Sequence, residues 1–205
     1  MKDATYMTQD QQDKTDSSTQ GTKEHVCPFW MGYLLNLPLR KLFESPKKLL
    51  KPLTQPGMTV LEPGCAMGYF SLPLARMVGT KGLVVCVDVQ EKMIRALRRR
   101  AKRAGLLDRL ETSVCEKDSL GLDKWRDQVD LVCAMHVVHE MPDTAAFLEQ
   151  VFDVLKPGGK LLVMEPKGHV SVEAFQAMSR QAEQIGLKKS DYPPLKKRLG
   201  ALFEK

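Results

Sequence analysis

From residue 57 to the carboxyl end, short apolar runs alternate with longer segments of helical spacing. "MTVLEPG", "GLVVCVD", "RLETSV", "QVDLVCA" and "KLLVMEP" read as strands, rich in branched residues and bounded by turn formers. Between or after them, "GYFSLPLARMVG", "VQEKMIRALRRRAKRAG", "TAAFLEQVFDVLKPGG" and "SVEAFQAMSRQAEQIG" read as helices, with Gly105 in the usual helix-terminating position. "LKKSDY" and "KRLGALFEK" supply two final edge strands. A helix-length crossover joins parallel strands and covers a face of the sheet. The alternation therefore predicts an α/β fold, a mostly parallel sheet flanked by helices on both faces.

In such sheets ligands gather beyond the carboxyl ends of the strands. Glu62, Asp88, His136, Glu165, Lys167 and His169 fall at or just past predicted strand ends, with His139 and Glu140 within the next turn. One rim is expected to carry them all. The bland alternative for any single histidine is a cap or loop anchor.

The remaining chain bounds what surrounds that rim. With 205 residues, 43% of them apolar and 27% charged, there is material for one substantial core. No apolar run is long enough to cross a bilayer, and residues 1–24 have no apolar centre of the kind a secretion signal needs. They read as a disordered polar arm, and a cytoplasmic location is the expectation. The five cysteines stand singly, which favours reduced thiols. Much of the net charge of +6 lies in "RALRRRAKR" and "LKKSDYPPLKKR". A solvated helix face accounts for the first run better than a nucleic-acid surface does. Residues 25–56 are aromatic, apolar and broken by prolines, with Ser45 and Pro46 as an N-cap and first helical residue. They read as a helical lid or brace ahead of a domain at 57–205.

"LEPGCAMG", residues 61–68, carries the chemistry. Gly64 permits a positive φ and a close approach of backbone to ligand, and Gly68 admits tight helix–strand packing. Asp88 ends the next strand, where a carboxylate can accept both hydroxyls of a ribose. Glycine turn plus acid is a nucleoside-binding constellation. Glu62 before the loop would repel a pyrophosphate and attract an amino group, and Asp118 past the third strand can meet an adenine amino group. These features favour an adenosine-bearing methyl donor over a nicotinamide dinucleotide. Because the acids and glycines stand in order, Ala66 is expected to hold an ordinary negative φ inside an intact loop.

With "VLEPGCAMG", "VVCVDVQEKM", "EKDSLGL", "VDLVCAMHVVHEMPD" and "LKPGGKLLVMEPKGH" in sequence, the chain resembles the class I, Rossmann-like S-adenosylmethionine-dependent methyltransferases from residue 57 onward. The resemblance implies a seven-stranded sheet with its last strand antiparallel and S-adenosyl-L-methionine as cofactor. It implies that Glu62, Gly64, Ala66 and Gly68 hold the methionine moiety and that Asp88 takes the ribose. Val89 and Met93 would border the adenine, Asp118 and Ser119 would meet its polar edge, His136 would stand near the sulfonium, and Met135 beside it would be a further cofactor contact. Two departures are Glu62 where aspartate is commoner and Ala66 where glycine is usual.

Methyl transfer is an in-line displacement helped by alignment and by removal of a proton. His136, His139 and His169 are candidate bases, with Glu140 or Glu165 to orient one of them. His25, Cys27, Trp30, Tyr33, Glu165 and Lys167 are candidate acceptor contacts, the aromatic ones forming a lid or simply a packed helix. Grouping His25 and Cys27 with rim histidines offers a zinc, thiol or arsenic alternative, although the spacing matches no common zinc motif and no metal is expected. A small-molecule acceptor is the leading expectation, and RNA or protein the alternative. The "DPPY"-type signature of amino-group methylation is absent, with "AMHVVHEMPD" in its place. The sequence does not decide the acceptor or the oligomeric state.

Overall fold

The computed structural model describes residues 45–196 and 198–205. The arm at 1–24 and the greater part of the expected lid lie outside the described residues. The first described element is a short helix, α1 (Pro46–Leu50), whose N-cap Ser45 accepts a hydrogen bond from the Lys48 amide. The order then runs β1 (Thr59–Pro63), α2 (Ser71–Val78), β2 (Leu83–Asp88), α3 (Glu91–Arg103), β3 (Leu110–Val114), β4 (Val129–Met135), α4 (Thr144–Val154), β5 (Leu155–Glu165), α5 (Val172–Gln184), β6 (Lys188–Ser190) and β7 (Leu199–Glu204).

One seven-stranded sheet has the order β3-β2-β1-β4-β5-β7-β6. β7 runs antiparallel to both of its neighbours and all other pairings are parallel. Alternation along each strand divides the core. Val60, Val84, Cys86, Leu131, Cys133 and Leu162 point to one face, under α2 and α3 and beside Leu49 and Leu50 of α1. Leu61, Val85, Val87, Val132, Leu161 and Val163 point to the other, under α4 and α5. This side-chain period of two is what a sheet covered on both faces requires.

Crossovers from β1 to β3 use one face and those from β4 to β6 the other, so chain direction across the sheet switches between β1 and β4. That junction is where a doubly wound sheet opens a crevice at its carboxyl edge. Of the two tail strands expected at an edge only β6 is there; β7 is inserted between β5 and β6, because its buried Ala201, Leu202 and Phe203 need cover on both faces. Tyr192, between β6 and β7, donates its hydroxyl to the Leu49 carbonyl and ties α1 to the far end of the chain.

One boundary differs from the sequence reading. The residues "LKPGG" belong to β5, not to a turn closing the preceding helix: α4 ends at Val154, Leu155 already pairs with Val129, and the register shifts between Val129 and Leu131. The irregularity lets the chain carry a Pro-Gly-Gly stretch inside a nominal strand.

Candidate active site

β1 delivers Glu62 to the rim with its carboxyl only 2% exposed. Ser71, the first residue of α2, donates its hydroxyl to Glu62 Oε2 at 2.5 Å. Burial pushes the Glu62 carboxyl up to about 8, the Ser71 bond acting against this and the neighbouring Asp88 adding to it. Ser71 was not among the residues singled out from sequence. Its signal there was weak, since a serine opening a helix reads first as a cap.

The loop after β1 is stretched tightly over its surroundings. Gly64 has φ +65, and a Cβ at that position would lie 2.4 Å from Val137 Cγ2. Gly68 has φ +83, and a Cβ there would lie 2.4 Å from Leu97 Cδ1. Both glycines are therefore favoured by conformation, and Gly64 is required by space as well, because the branched Val137 side chain cannot swing aside as the tip of Leu97 can. Ala66 corrects the expectation of a negative φ: its φ is +46. The reason is Asp88, whose Oδ2 accepts the Ala66 amide at 2.9 Å while Oδ1 accepts the Gln90 amide at 2.8 Å. The left-handed turn aims the amide at the acid. Each carboxylate oxygen keeps a further acceptor site, so Asp88 can serve the loop and a ligand together. Burial raises the Asp88 carboxyl from its ordinary value and the two amide bonds lower it.

Val89 follows Asp88, half-buried. Met93 is buried with Met67 and Ala96, against Ala66. Arg100 reaches the Met67 carbonyl from α3. Asp118 and Ser119 lie exposed on the loop after β3. That loop is held by a residue the sequence reading missed: Gln150 of α4 donates to the Asp118 carbonyl at 3.1 Å and accepts the Leu120 amide at 2.8 Å. A glutamine on a helix gives no signal that its partner lies thirty residues back.

The other half of the rim is built by β4 and β5. Met135 is buried at the end of β4. His136 follows with φ +59, its amide donated to the Met164 carbonyl at 2.7 Å. The turn Val138–Glu140 then folds over Glu165, the last residue of β5, which is 4% exposed. Glu165 Oε1 accepts the Val138 amide at 2.8 Å and the His139 amide at 3.3 Å, and Oε2 meets His139 Nδ1 at 2.5 Å. The His139 side chain is 25% exposed. Glu165 raises its pKa above the ordinary value, with burial opposing. His169 stands edge-on to His139, ring centres 6.4 Å apart. Lys167 and Glu140 are exposed beside them.

Thus the rim brings together Glu62, the glycine loop, Asp88, His136, His139, Glu140, Glu165, Lys167 and His169. Val137, between His136 and the Glu165-bound turn, is also the residue that closes on Gly64. His25, Cys27, Trp30 and Tyr33 lie outside the described residues. Among the described residues, no group of three or more His, Cys, Asp or Glu side chains is arranged to hold a metal ion. Burial pushes the thiols of Cys65 and Cys133 well above their ordinary value, so both stay neutral core groups.

Residues 54–204 match the family model described as "Methyltransferase domain". The chain belongs to that family. Its methyl donor is S-adenosylmethionine, and the cradle closed by Gly64 and Val137, with buried acids at two adjacent strand ends, fits an adenosyl ligand bearing an amino acid. A SAM-dependent methyltransferase of Aquifex aeolicus is 25% identical, with a TM-score of 0.75 over 86% of this chain and 97% of that one. The S-adenosylmethionine-dependent methyltransferase structure mmp1179 of Methanococcus maripaludis, named putative, shares the fold at 15% identity and a TM-score of 0.71, over 90% and 97% of the two chains. The ubiquinone/menaquinone biosynthesis C-methyltransferase UbiE of Hydrogenovibrio crunogenus is 30% identical over 111 residues, 54% of this methyltransferase and 43% of the relative. The chain thus covers under half the length of that relative. Among the described residues, no helix is long and apolar enough to cross a membrane.

Proposed function

We propose that this methyltransferase acts on a small organic acceptor carrying an ionisable O–H or C–H, and that His139 removes its proton. The observation behind this reading is the 2.5 Å contact between His139 Nδ1 and the buried carboxylate of Glu165. With Nδ1–H donated to Glu165, Nε2 is left bare as the acceptor of a proton. The imidazolium formed in the reaction is stabilised by the same carboxylate, an arrangement of base and orienting acid that recurs in general-base catalysis. Glu165 is itself fixed by the Val138 and His139 amides.

In this reading Glu62, the Gly64–Gly68 loop and Asp88 hold the methionine and ribose parts of the donor. Asp118, Ser119, Val89 and Met93 border its base, and Met135 and His136 stand at the reacting end. S-adenosylmethionine supplies an electrophilic methyl group. Contact between Val137 and Gly64 joins the donor loop to the turn that carries His139, which favours their action on one substrate pair. Lys167 and His169 then border the acceptor. The C-methyltransferase name of the UbiE relatives favours a nucleophilic carbon, made reactive when a proton leaves a conjugated O–H. The basic run of α3 gives less support to an RNA acceptor: Arg98 bonds Thr112 of β3 and Arg95 pairs with Glu91, on the flank of the sheet.

A labelled-donor assay over phenolic, enolic and amine acceptors tests the reading. His139→Ala is expected to lower kcat by roughly 10²- to 10⁴-fold on the acceptor used, with donor affinity unchanged by calorimetry. Activity should rise with pH through a histidine held above its ordinary range, and Glu165→Gln should move that limb downward. Full activity in His139→Ala would sink the base assignment.

A further inference from the structure

We infer that Glu62 holds a proton in the donor-free protein and releases it to solvent when the ammonium group of the donor enters the site. This rests on the donor assignment above. The carboxyl is enclosed, 2% exposed, and its hydrogen bond comes from a serine that is fully buried, at 0%. Among the described residues, the groups that face it are Asp88 from β2, the Cys65 thiol from the loop, the Cys133 thiol from β4 and the Ser71 hydroxyl from α2. None is a cation, and one is a second carboxylate. None of the ion pairs among the described residues includes Glu62.

A carboxyl taken out of water without an opposite charge stays protonated. Burial accordingly pushes Glu62 up to about 8. A ligand ammonium group supplies the missing charge: the O–H bond of Glu62 breaks, the carboxylate pairs with the ammonium, and the proton leaves to bulk water. The charge of the enclosed site is conserved, because one positive charge enters as another departs. A nicotinamide dinucleotide has no ammonium group to donate to the acid and brings a pyrophosphate that the acid repels, so the same buried acid also discriminates between donor classes.

The test is calorimetry at a pH of about 6.8, where a ligand α-amino group remains mostly protonated, in two buffers of different ionisation enthalpy. S-adenosylmethionine should release about one proton per site. Its demethylated product, which keeps the ammonium, should do the same. Methylthioadenosine, which lacks the amino acid, should release close to none. Between pH 6 and 7 donor affinity should rise about tenfold in the wild type and stay level in Glu62→Gln, whose neutral amide mimics the protonated acid. Ser71→Ala removes a bond that favours the carboxylate, and should shift the midpoint of that dependence upward. Donor binding without proton release, or with release that Glu62→Gln preserves, overturns the inference. Failure of the donor to bind at all overturns the donor assignment itself and this inference with it.

Discussion

Ala66 occupies a left-handed turn at φ +46 that an L-residue adopts at a cost of about 1–2 kcal/mol. The charge-assisted bond from its amide to Asp88, worth about 1.5–3 kcal/mol, offsets that cost. Ala66→Gly should therefore raise stability by about 0.5–1 kcal/mol and strengthen donor binding a few-fold at most, measured by thermal melting and calorimetry. A loss of donor affinity would mean that the methyl group packs usefully against Met67 and Met93. The sign of this φ was not legible in the sequence. The glycines on either side announce a turn, but what decides Ala66 is a carboxylate 22 residues away, and local propensity carries no information about it. His136, also at positive φ, was legible as a strand-end residue and illegible as a strained one for the same reason: its amide is fixed by the Met164 carbonyl on another strand. The His139–Glu165 pair was half legible. Both residues were candidates, but three histidines were candidate bases, and only the fold of the Val138–Glu140 turn over β5 shows that it is His139 whose ring meets Glu165.

At the scale of elements, the strands and helices read from apolar periodicity are the ones that form, because the central strands β1, β2, β4 and β5 are buried along most of their length and the helices α2–α5 each bury one face. The exception is the start of β5, where pairing with β4 begins at Leu155 and overrides a Pro-Gly-Gly turn signal. The loop after β3 offers an element-scale test. Gln150 bonds it at both Asp118 and Leu120. Gln150→Ala removes two bonds, each worth about 0.5–1.5 kcal/mol, and leaves the loop without its brace on α4. Hydrogen exchange at the Leu120 amide should accelerate, donor affinity should fall about tenfold, and the melting temperature should drop by roughly 2–10 °C. Unchanged exchange at Leu120 would show that the loop is held by its own turn.

For the whole molecule, Glu62 links stability to pH. Its carboxyl lies near 4.5 in an unfolded chain and is pushed up to about 8 in the folded protein. Between those values the native state binds a proton that the unfolded state has lost, so stability falls as pH rises through that window and levels off above it. Glu62→Gln should flatten this dependence and melt higher than the wild type at a pH of about 8, as followed by circular dichroism. A wild-type melting temperature that does not decline from pH 5.5 to 8 would contradict the protonated state.

The two margins of the sheet bear on how copies of the molecule meet. β6 is three residues long with Lys188 and Lys189 exposed. On the opposite margin, β3 is flanked by the Lys124–Glu111 ion pair and by Arg98 on Thr112. A strand from another chain that tried to extend the ladder at either side would have to strip water from ammonium or guanidinium groups to reach the backbone. The sheet is closed to growth by charge where it is not closed by pairing, so crowded copies can touch through helices and rim without polymerising edge to edge.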